Sequence, residues 1–139
     1  MIATKDIKVI NHKGRGFNFE GEATGKLEVP ESSRLNDAVM DITGGVTIGE
    51  RVHFGHQVMI LTTSHPPEIP NGEERMKTIR VGEVMIEDDV YIGSRATILK
   101  GTKIGKGSYI GAGAVILENT IIGDRQLWAG VPAILKRFL

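Results

Sequence analysis

Residues 84–123 read VMIEDDVYIGSRATILKGTKIGKGSYIGAGAVILENTIIG, and isoleucine recurs at every sixth position of this stretch. Six residues at 100° each do not return a side chain to one face of an α-helix, and a simple strand points every second residue at the core. The residue two positions before each isoleucine is small or β-branched. The isoleucines are Ile86, Ile92, Ile98, Ile104, Ile110, Ile116 and Ile122, and the preceding residues are Val84, Val90, Ala96, Thr102, Ser108, Ala114 and Thr120.

A longer period is superimposed on the hexads, because Leu99 and Leu117 follow the isoleucine at every third repeat, whereas glycine follows it at most of the others. A six-residue unit within an 18-residue period is typical of a parallel β-helix with three short strands per coil. Residues 18 apart should then lie one strand spacing apart, about 4.8 Å, on neighbouring coils. This spacing predicts that Lys100 lies next to Glu118.

The same register is present before the isoleucine run, at Ile42, Ile48, Phe54 and Ile60. Ile60 and Ile86 are 26 residues apart, which is one hexad plus 20 extra residues. The surplus, about residues 62–82, is rich in proline and charge and is predicted to be an extruded loop. Long loops in compact domains are usually functional or disordered, so this loop is the first place to look for chemistry.

The chain is predicted to form a single domain, residues 1–139, of the all-β class. Residues 1–40 lack the hexad and show short apolar segments around Ile7–Ile10, Phe17–Phe19 and Leu27–Val29, which we interpret as capping strands. The coils are expected to cover 41–134, with Trp128 and Ile134 at hexad positions. Residues 135–139 would form a C-terminal cap, either a short helix or a final strand.

The bulk composition excludes several classes of function. Seventeen basic and seventeen acidic residues cancel, so no charge pattern points to a nucleic acid or membrane partner. Cysteine is absent, which excludes disulfides and a thiol nucleophile. No signal-peptide pattern or long apolar span is evident, and a cytoplasmic protein is therefore expected.

Three features together resemble the hexapeptide-repeat acyltransferases: the repeats, the loop beginning Thr62-Thr63-Ser64-His65-Pro66, and the ending Ala129-Gly130-Val131-Pro132-Ala133. The resemblance covers about residues 35–137 and is closest to the sugar O-acetyltransferases of the galactoside and maltose acetyltransferase type. It implies a left-handed parallel β-helix. It also implies a homotrimer that binds acetyl-CoA in the clefts between adjacent subunits.

His65 is the candidate catalytic residue, because the family's general base is the histidine of this loop. An unassisted hydroxyl is a poor nucleophile near neutral pH, and imidazole is suited to accept its proton and return it to the departing thiolate. This mechanism requires neither a nucleophilic serine or cysteine nor a metal. The alternative is that His65 is a polar loop residue held extended by the following proline.

Four residues match cofactor-binding positions of the family. Ser94 and Ala112 fall where backbone and small side chains meet the pantetheine arm, and Arg137 matches a basic position that meets the nucleotide phosphates. The family frequently has Thr-Lys where this chain has Leu117-Glu118. Lys100 either supplies a further cation for the phosphates or is neutralised by Glu118.

Two residues are assigned to substrate binding. Gln57 stands where relatives often have asparagine near the acyl site. Tyr91 stands where they often carry an aromatic residue, and it is expected to point outwards. Tyr91 would wall the cleft beside His65 or pack against a neighbouring subunit.

The other histidines have weaker functional interpretations. His53 and His56 are expected at the surface, with a place in the inter-subunit cleft as the alternative, and His12 is expected to be solvated. A zinc site of the carbonic anhydrase kind, known on the same fold, needs three convergent histidines. The second coil after His65 contains none, which disfavours that interpretation.

The sequence therefore predicts an acetyl-CoA-dependent O-acetyltransferase that acts on a hydroxyl of a sugar or polysaccharide precursor. Two alternatives stay open. One is N-acetylation of an amino sugar, and the other is a non-catalytic trimeric β-helix module.

Overall fold

The computed structural model describes residues 6–139, whose regular secondary structure consists almost entirely of short strands. Because each strand has two to six residues, the corners between strands occupy much of the chain. The elements are β1 (Lys8–Ile10), β2 (Asn18–Glu20), β3 (Leu27–Glu28), β4 (Val39–Asp41), β5 (Val46–Ile48), β6 (His53–Phe54), β7 (Met59–Leu61), β8 (Thr63–Ser64), α1 (Gly72–Lys77), β9 (Thr78–Val81), β10 (Val84–Ile86), β11 (Tyr91–Ile92), β12 (Thr97–Leu99), β13 (Lys103–Ile104), β14 (Tyr109–Ile110), β15 (Val115–Ile116), β16 (Ile121–Ile122), β17 (Gln126–Gly130) and β18 (Ala133–Phe138).

Three five-stranded sheets form the faces of a left-handed parallel β-helix, as predicted. Face 1 has the order β1-β4-β7-β12-β15, face 2 has β16-β13-β10-β5-β3, and face 3 has β18-β17-β14-β11-β6. The corners between faces 1 and 2 form what we call the insertion edge. The corners between faces 3 and 1 form what we call the Ser94 edge.

The 18-residue period is confirmed by the strand pairing. Ile86 pairs with Ile104, which pairs with Ile122. Before the insertion, Ile60 pairs with Ile98, a separation of one 18-residue coil plus 20 residues. The inserted segment therefore leaves the register of the coils unchanged, as the hexad count predicted.

The core is a column of hexad side chains inside the triangular section. Every isoleucine from Ile86 to Ile122 in the hexad series is at most 2% exposed. The small residues two positions earlier are buried beside them, except Thr120, which is half-buried. The buried polar ones are satisfied: the Ser108 hydroxyl donates to Gly123 O at 2.8 Å, and that of Thr102 donates to Leu117 O at 3.2 Å.

The predicted register before Ile48 is wrong by two residues. Met40, not Ile42, pairs with Ile60 on face 1, so the coil carries two extra residues before Ile48. The extra length lies in the corner that contains Gly44. A Cβ at Gly44 would lie 2.9 Å from Gly82 O, which shows how closely this widened corner packs against the base of the insertion.

The inserted segment is more ordered than the predicted loop. It leaves the coil after Leu61 and returns where Gly82 N donates to Thr62 O at 2.9 Å. Within it, β9 pairs antiparallel with β8 and parallel with β2. Ile79, on β9, is only 2% exposed and supplies an apolar anchor.

Both ends of the coil carry additional strands. The N-terminal segment contains β1, β2 and β3, and β1 and β3 extend faces 1 and 2 beyond the first complete coil. Its capping role stays a prediction. The first five residues of the predicted cap lie outside the described residues. The division at 40/41 and 134/135 stays a prediction.

The C-terminal end reverses direction. Trp128 pairs with Ile110 and packs half-buried against the core. The chain then turns at Val131-Pro132, and β18 runs antiparallel to β17, so the final segment is a strand rather than a helix. Ile134 is 55% exposed, and the expectation that it continues the hexad register is wrong, because the chain has left the coil.

Candidate active site

His65 lies half-buried in the insertion, directly after β8. Its Nδ1 atom is 2.8 Å from Thr78 O and 3.2 Å from Arg75 O. Both partners are carbonyl oxygens and only accept hydrogen bonds, so Nδ1 carries the proton. In the neutral ring, Nε2 then has an available lone pair and is able to accept a proton from a hydroxyl group.

The carbonyls that hold His65 lie at the end of α1. The helix begins after Asn71, whose side chain accepts from Glu74 N at 3.1 Å, and the acidic residues Glu73 and Glu74 occupy its first turn. It ends at Lys77, and Thr78 is extended. Arg75 O lies in the last turn and accepts the Thr78 N–H, and its second lone pair is available to the imidazole, as is Thr78 O at the start of β9.

Arg80 fastens the insertion to the N-terminal segment. Its guanidinium contacts Glu20 at 2.9 Å and also binds Glu68. This ion pair holds the pKa of the Glu68 carboxyl below its usual range and raises that of Arg80. Exposed ion pairs contribute little to stability because water screens them, so the main effect here is to align β9 with β2.

A second histidine has a structural role that the sequence analysis missed. His12, expected to be solvated, lies with Nε2 3.6 Å from Oδ2 of Asp41, which is only 4% exposed. Asp41 also accepts from the Thr43 backbone N–H at 3.0 Å, from the Thr43 hydroxyl at 2.6 Å and from the Thr63 hydroxyl. The available signal was the register, because Asp41 occupies the face 1 position taken by Leu61 in the next coil.

Replacing Thr63 with valine should lower the free energy of unfolding by about 1–3 kcal/mol, because Asp41 loses a hydrogen bond to a charged group in a buried setting. Urea denaturation at one fixed protomer concentration measures the change. Thr47→Val is the matched control, since Thr47 lies on the outer side of β5. Equal effects of the two substitutions would contradict a role for the Asp41 network.

Lys100 lies on the insertion edge, below the base of the insertion. Its Nζ atom is 3.3 Å from Glu118 Oε2, and its side chain is 13% exposed. The predicted neighbours are thus confirmed, and of the two alternatives left open for Lys100, this structure shows the neutralised one.

Ser94, Ala112 and Gln57 lie together on the Ser94 edge. Ser94 Oγ accepts from His56 N at 2.9 Å, so this hydroxyl already supports the corner. A Cβ at Gly93 would lie 2.4 Å from Ala112 N, so only glycine fits between these two coils. Ala112 itself is exposed and leaves a flat surface.

Gln57 is held in place by charged neighbours. Its side-chain oxygen accepts from Arg95 Nε at 3.1 Å, and its backbone N–H donates to Asp37 Oδ1 at 2.8 Å. The hydrogen bond from the Gln57 N–H holds the pKa of the Asp37 carboxyl below its usual range, and the neighbouring His56 lowers this pKa further. The Asp37 carboxylate and the Arg95 guanidinium thus both contact Gln57 on the Ser94 edge.

Tyr91 and Arg137 lie on face 3. The Tyr91 ring stacks on Tyr109 with centroids 4.8 Å apart, and Arg137 is exposed on β18 opposite Leu127. Face 3 is opposite the insertion edge in the triangular section. Within one chain, Tyr91 therefore lies away from His65, and its place in a cleft between subunits stays a prediction.

A single chain does not gather the candidate residues into one site. Lys100 shares the insertion edge with His65, whereas the Ser94 edge lies at the other side of face 1. The four residues from Val58 to Leu61 cross that face, which at about 3.3 Å per residue separates the two edges by roughly 13 Å.

Among residues 6–139, no group of three or more histidine, aspartate or glutamate side chains is arranged to hold a metal ion. Over the same range, no helix is long and apolar enough to cross a membrane.

Similarity to known proteins identifies the family to which the chain belongs. Residues 83–118 match the family described as bacterial transferase hexapeptide (six repeats). WbbJ of Escherichia coli (strain K12), named for O-acetyl transfer in lipopolysaccharide biosynthesis, is 31% identical over 138 residues, covering 90% of this chain and 67% of WbbJ. The chain belongs to the hexapeptide-repeat acyltransferase family.

Other members agree with the predicted subgroup. The galactoside O-acetyltransferase of Lactococcus lactis subsp. lactis (strain IL1403) is 35% identical to this acyltransferase over 108 residues, covering 76% of the chain but 48% of the relative. The structure of the hexapeptide-repeat acetyltransferase VCA0836 from Vibrio cholerae O1 biovar eltor, complexed with acetyl-CoA, has a TM-score of 0.67 and 26% identity, covering 90% of this chain and 73% of that one. The chain thus spans about two thirds of the length of WbbJ and about half that of the galactoside enzyme.

Proposed function

We propose that this hexapeptide-repeat acyltransferase transfers an acetyl group from acetyl-CoA to a hydroxyl of a sugar or polysaccharide precursor, with His65 as general base. The observation that carries the proposal is the pair of carbonyls at 2.8 and 3.2 Å from Nδ1, which leaves Nε2 as the proton acceptor. WbbJ and the galactoside relative are both named as O-acetyl transferases, which supports the class of acceptor.

The reaction needs one base and no covalent enzyme intermediate. Nε2 of His65 accepts the hydroxyl proton while the hydroxyl oxygen attacks the thioester carbonyl carbon. The tetrahedral intermediate then collapses with cleavage of the carbon–sulfur bond. The imidazolium returns its proton to the departing thiolate, which gives the acetyl ester and free CoA thiol.

The complete site is proposed to form between copies of the chain. His65 and Lys100 lie on one edge and Ser94, Ala112 and Gln57 on another, so a homotrimer that brings the two edges of neighbouring copies together would contain three equivalent sites. Ser94 and Ala112 would contact the pantetheine arm. Arg137 and Lys100 would meet the phosphates, and Lys100 would then exchange its contact with Glu118 for the ligand.

Three measurements test the proposal. Light scattering gives the number of copies, calorimetry gives acetyl-CoA affinity, and a thiol-release assay with matched hydroxyl and amino sugars gives the acceptor class. We expect a trimer, binding below millimolar concentration, and release with hydroxyl sugars. Release only with amino sugars would favour N-acetylation, and absence of binding at millimolar acetyl-CoA would favour a non-catalytic module.

A further inference from the structure

We propose that Arg75 is a positioning residue for His65, acting through the turn that fixes helix α1. The inference rests on the proposed function, because it concerns the orientation of the base. It assigns a task to a side chain that would itself contact neither acetyl-CoA nor the acceptor.

The side chain of Arg75 closes the segment before the helix. Its Nε donates to Ile69 O at 2.8 Å and its Nη2 donates to Pro70 O at 3.1 Å. These are carbonyls of consecutive residues, and a planar guanidinium can donate to both at once. Because Asn71 begins the helix, Arg75, in the last turn, ties the helix to the chain that enters it.

The backbone of the same residue holds the base. Arg75 O lies 3.2 Å from His65 Nδ1, and it also accepts the N–H of Thr78, whose own carbonyl is the second partner of the imidazole at 2.8 Å. Arg75 therefore links two contacts: its side chain fixes the helix, and its carbonyl, with that of Thr78, fixes the ring.

Helix α1 has little else to hold it. It has six residues and none of them is buried. Isolated helices of this length are unstable in water, and apolar packing does not compensate here. The Lys77–Glu74 pair at 2.9 Å is exposed and lies within the helix itself, so it does not fix the helix to the rest of the insertion.

Removal of the guanidinium should therefore disturb the His65 ring more than the fold. In Arg75→Ala we expect kcat to fall by about 10–100-fold, because small displacements of a catalytic group cost up to about 10²-fold, while KM for acetyl-CoA changes little. Arg75→Lys should recover only part of the loss, since a single ammonium does not reproduce the two-carbonyl fork.

The decisive measurement is the tautomer of His65 from the ¹⁵N chemical shifts of its ring. The chain contains four histidines, and the signals missing from His65→Ala identify the relevant pair. The wild-type protein should show Nδ1–H alone, and Arg75→Ala should show a mixture of tautomers. Lys77→Ala is the matched control, because it removes an exposed cation from the same helix and should leave both the spectrum and kcat unchanged.

The outcomes separate the two proposals. A wild-type tautomer in Arg75→Ala, whether or not kcat falls, would overturn the positioning role, as would equal effects of Arg75→Ala and Lys77→Ala. If Arg75→Ala does not fold, the same spectrum of Arg75→Lys decides the question. Full turnover in His65→Ala would instead remove the proposed base, and a tautomer change in Arg75→Ala would still establish that Arg75 orients the ring.

Discussion

Replacing His65 with alanine should reduce kcat by about 10²–10⁴-fold, the usual contribution of a positioned general base. The ring is held at Nδ1 by Arg75 O and Thr78 O, and alanine removes the proton acceptor without removing a core side chain. Release of the CoA thiol under saturating acetyl-CoA measures the loss. Calorimetry on the same variant should show acetyl-CoA affinity close to that of the wild-type protein.

Glu73→Ala is the matched control for this result, because Glu73 is an exposed residue of the same insertion and lies at the opposite end of α1. Its kcat should stay close to the wild-type value. Substantial turnover in His65→Ala would show that another group accepts the proton. Loss of trimer formation or of acetyl-CoA binding in that variant would mean that the histidine serves the assembly rather than the chemistry.

Replacing Ile104 with alanine should lower the free energy of unfolding by about 2–5 kcal/mol, the range for removing a large aliphatic side chain from a packed core. Ile104 is fully buried and lies on β13 between β10 and β16. Neighbouring coils hold the backbone at the strand spacing, so the coil has little freedom to collapse into the cavity. The loss should therefore fall in the upper part of that range.

Lys103→Ala gives the comparison from the same strand. Lys103 points outwards and pairs with Glu87 at 3.3 Å in an exposed setting, so its loss should cost about 1 kcal/mol or less. Urea denaturation of both variants at one protomer concentration is required, because the proposed association of copies would contribute to apparent stability. Similar losses for the two variants would contradict the assignment of the hexad position to the core.

The coil was predictable from sequence because its period is expressed in every repeat. The apolar residue of each hexad must point into the interior of the coil. The residue after it, glycine or leucine, indicates which of the three corners follows. The same count located the insertion between Ile60 and Ile86 and predicted the contact of Lys100 with Glu118. Each of these features is a consequence of regular stacking, which one sequence displays many times.

Features that occur once leave no such signal. The pairing of β2 with β9 joins residues as far apart as Glu20 and Arg80, and neither segment contains a pattern that points to the other. The two-residue shift at Met40 arises from a wider corner, where apolar residues at both Met40 and Ile42 are compatible with the hexad. For Ile134, the reversal at Val131-Pro132 removes the chain from the register although the spacing persists.

The candidate site likewise has one part that the sequence predicted and another that it did not. A motif at the start of the insertion pointed to His65, but the carbonyls that determine its tautomer belong to Arg75 in α1 and Thr78 at the start of β9, in a segment whose composition predicted only a loop. Tyr91 was assigned correctly to the outer surface, as its position on β11 shows. Its distance from His65 depends on which face of the coil each residue occupies, and local sequence carries little information about that.

The return of the chain to Thr62 has a consequence for how this protein can change. Gly82 N donates to Thr62 O at 2.9 Å, so the two ends of the insertion are adjacent where they join the coil. The entropy cost of closing a longer segment between these ends grows slowly with its length. The constraint comes instead from β2, which requires β9 to arrive in a fixed alignment. The fold therefore allows insertions and deletions between Ser64 and Thr78. Such changes would leave the geometry of the coil and of the N-terminal segment unaltered.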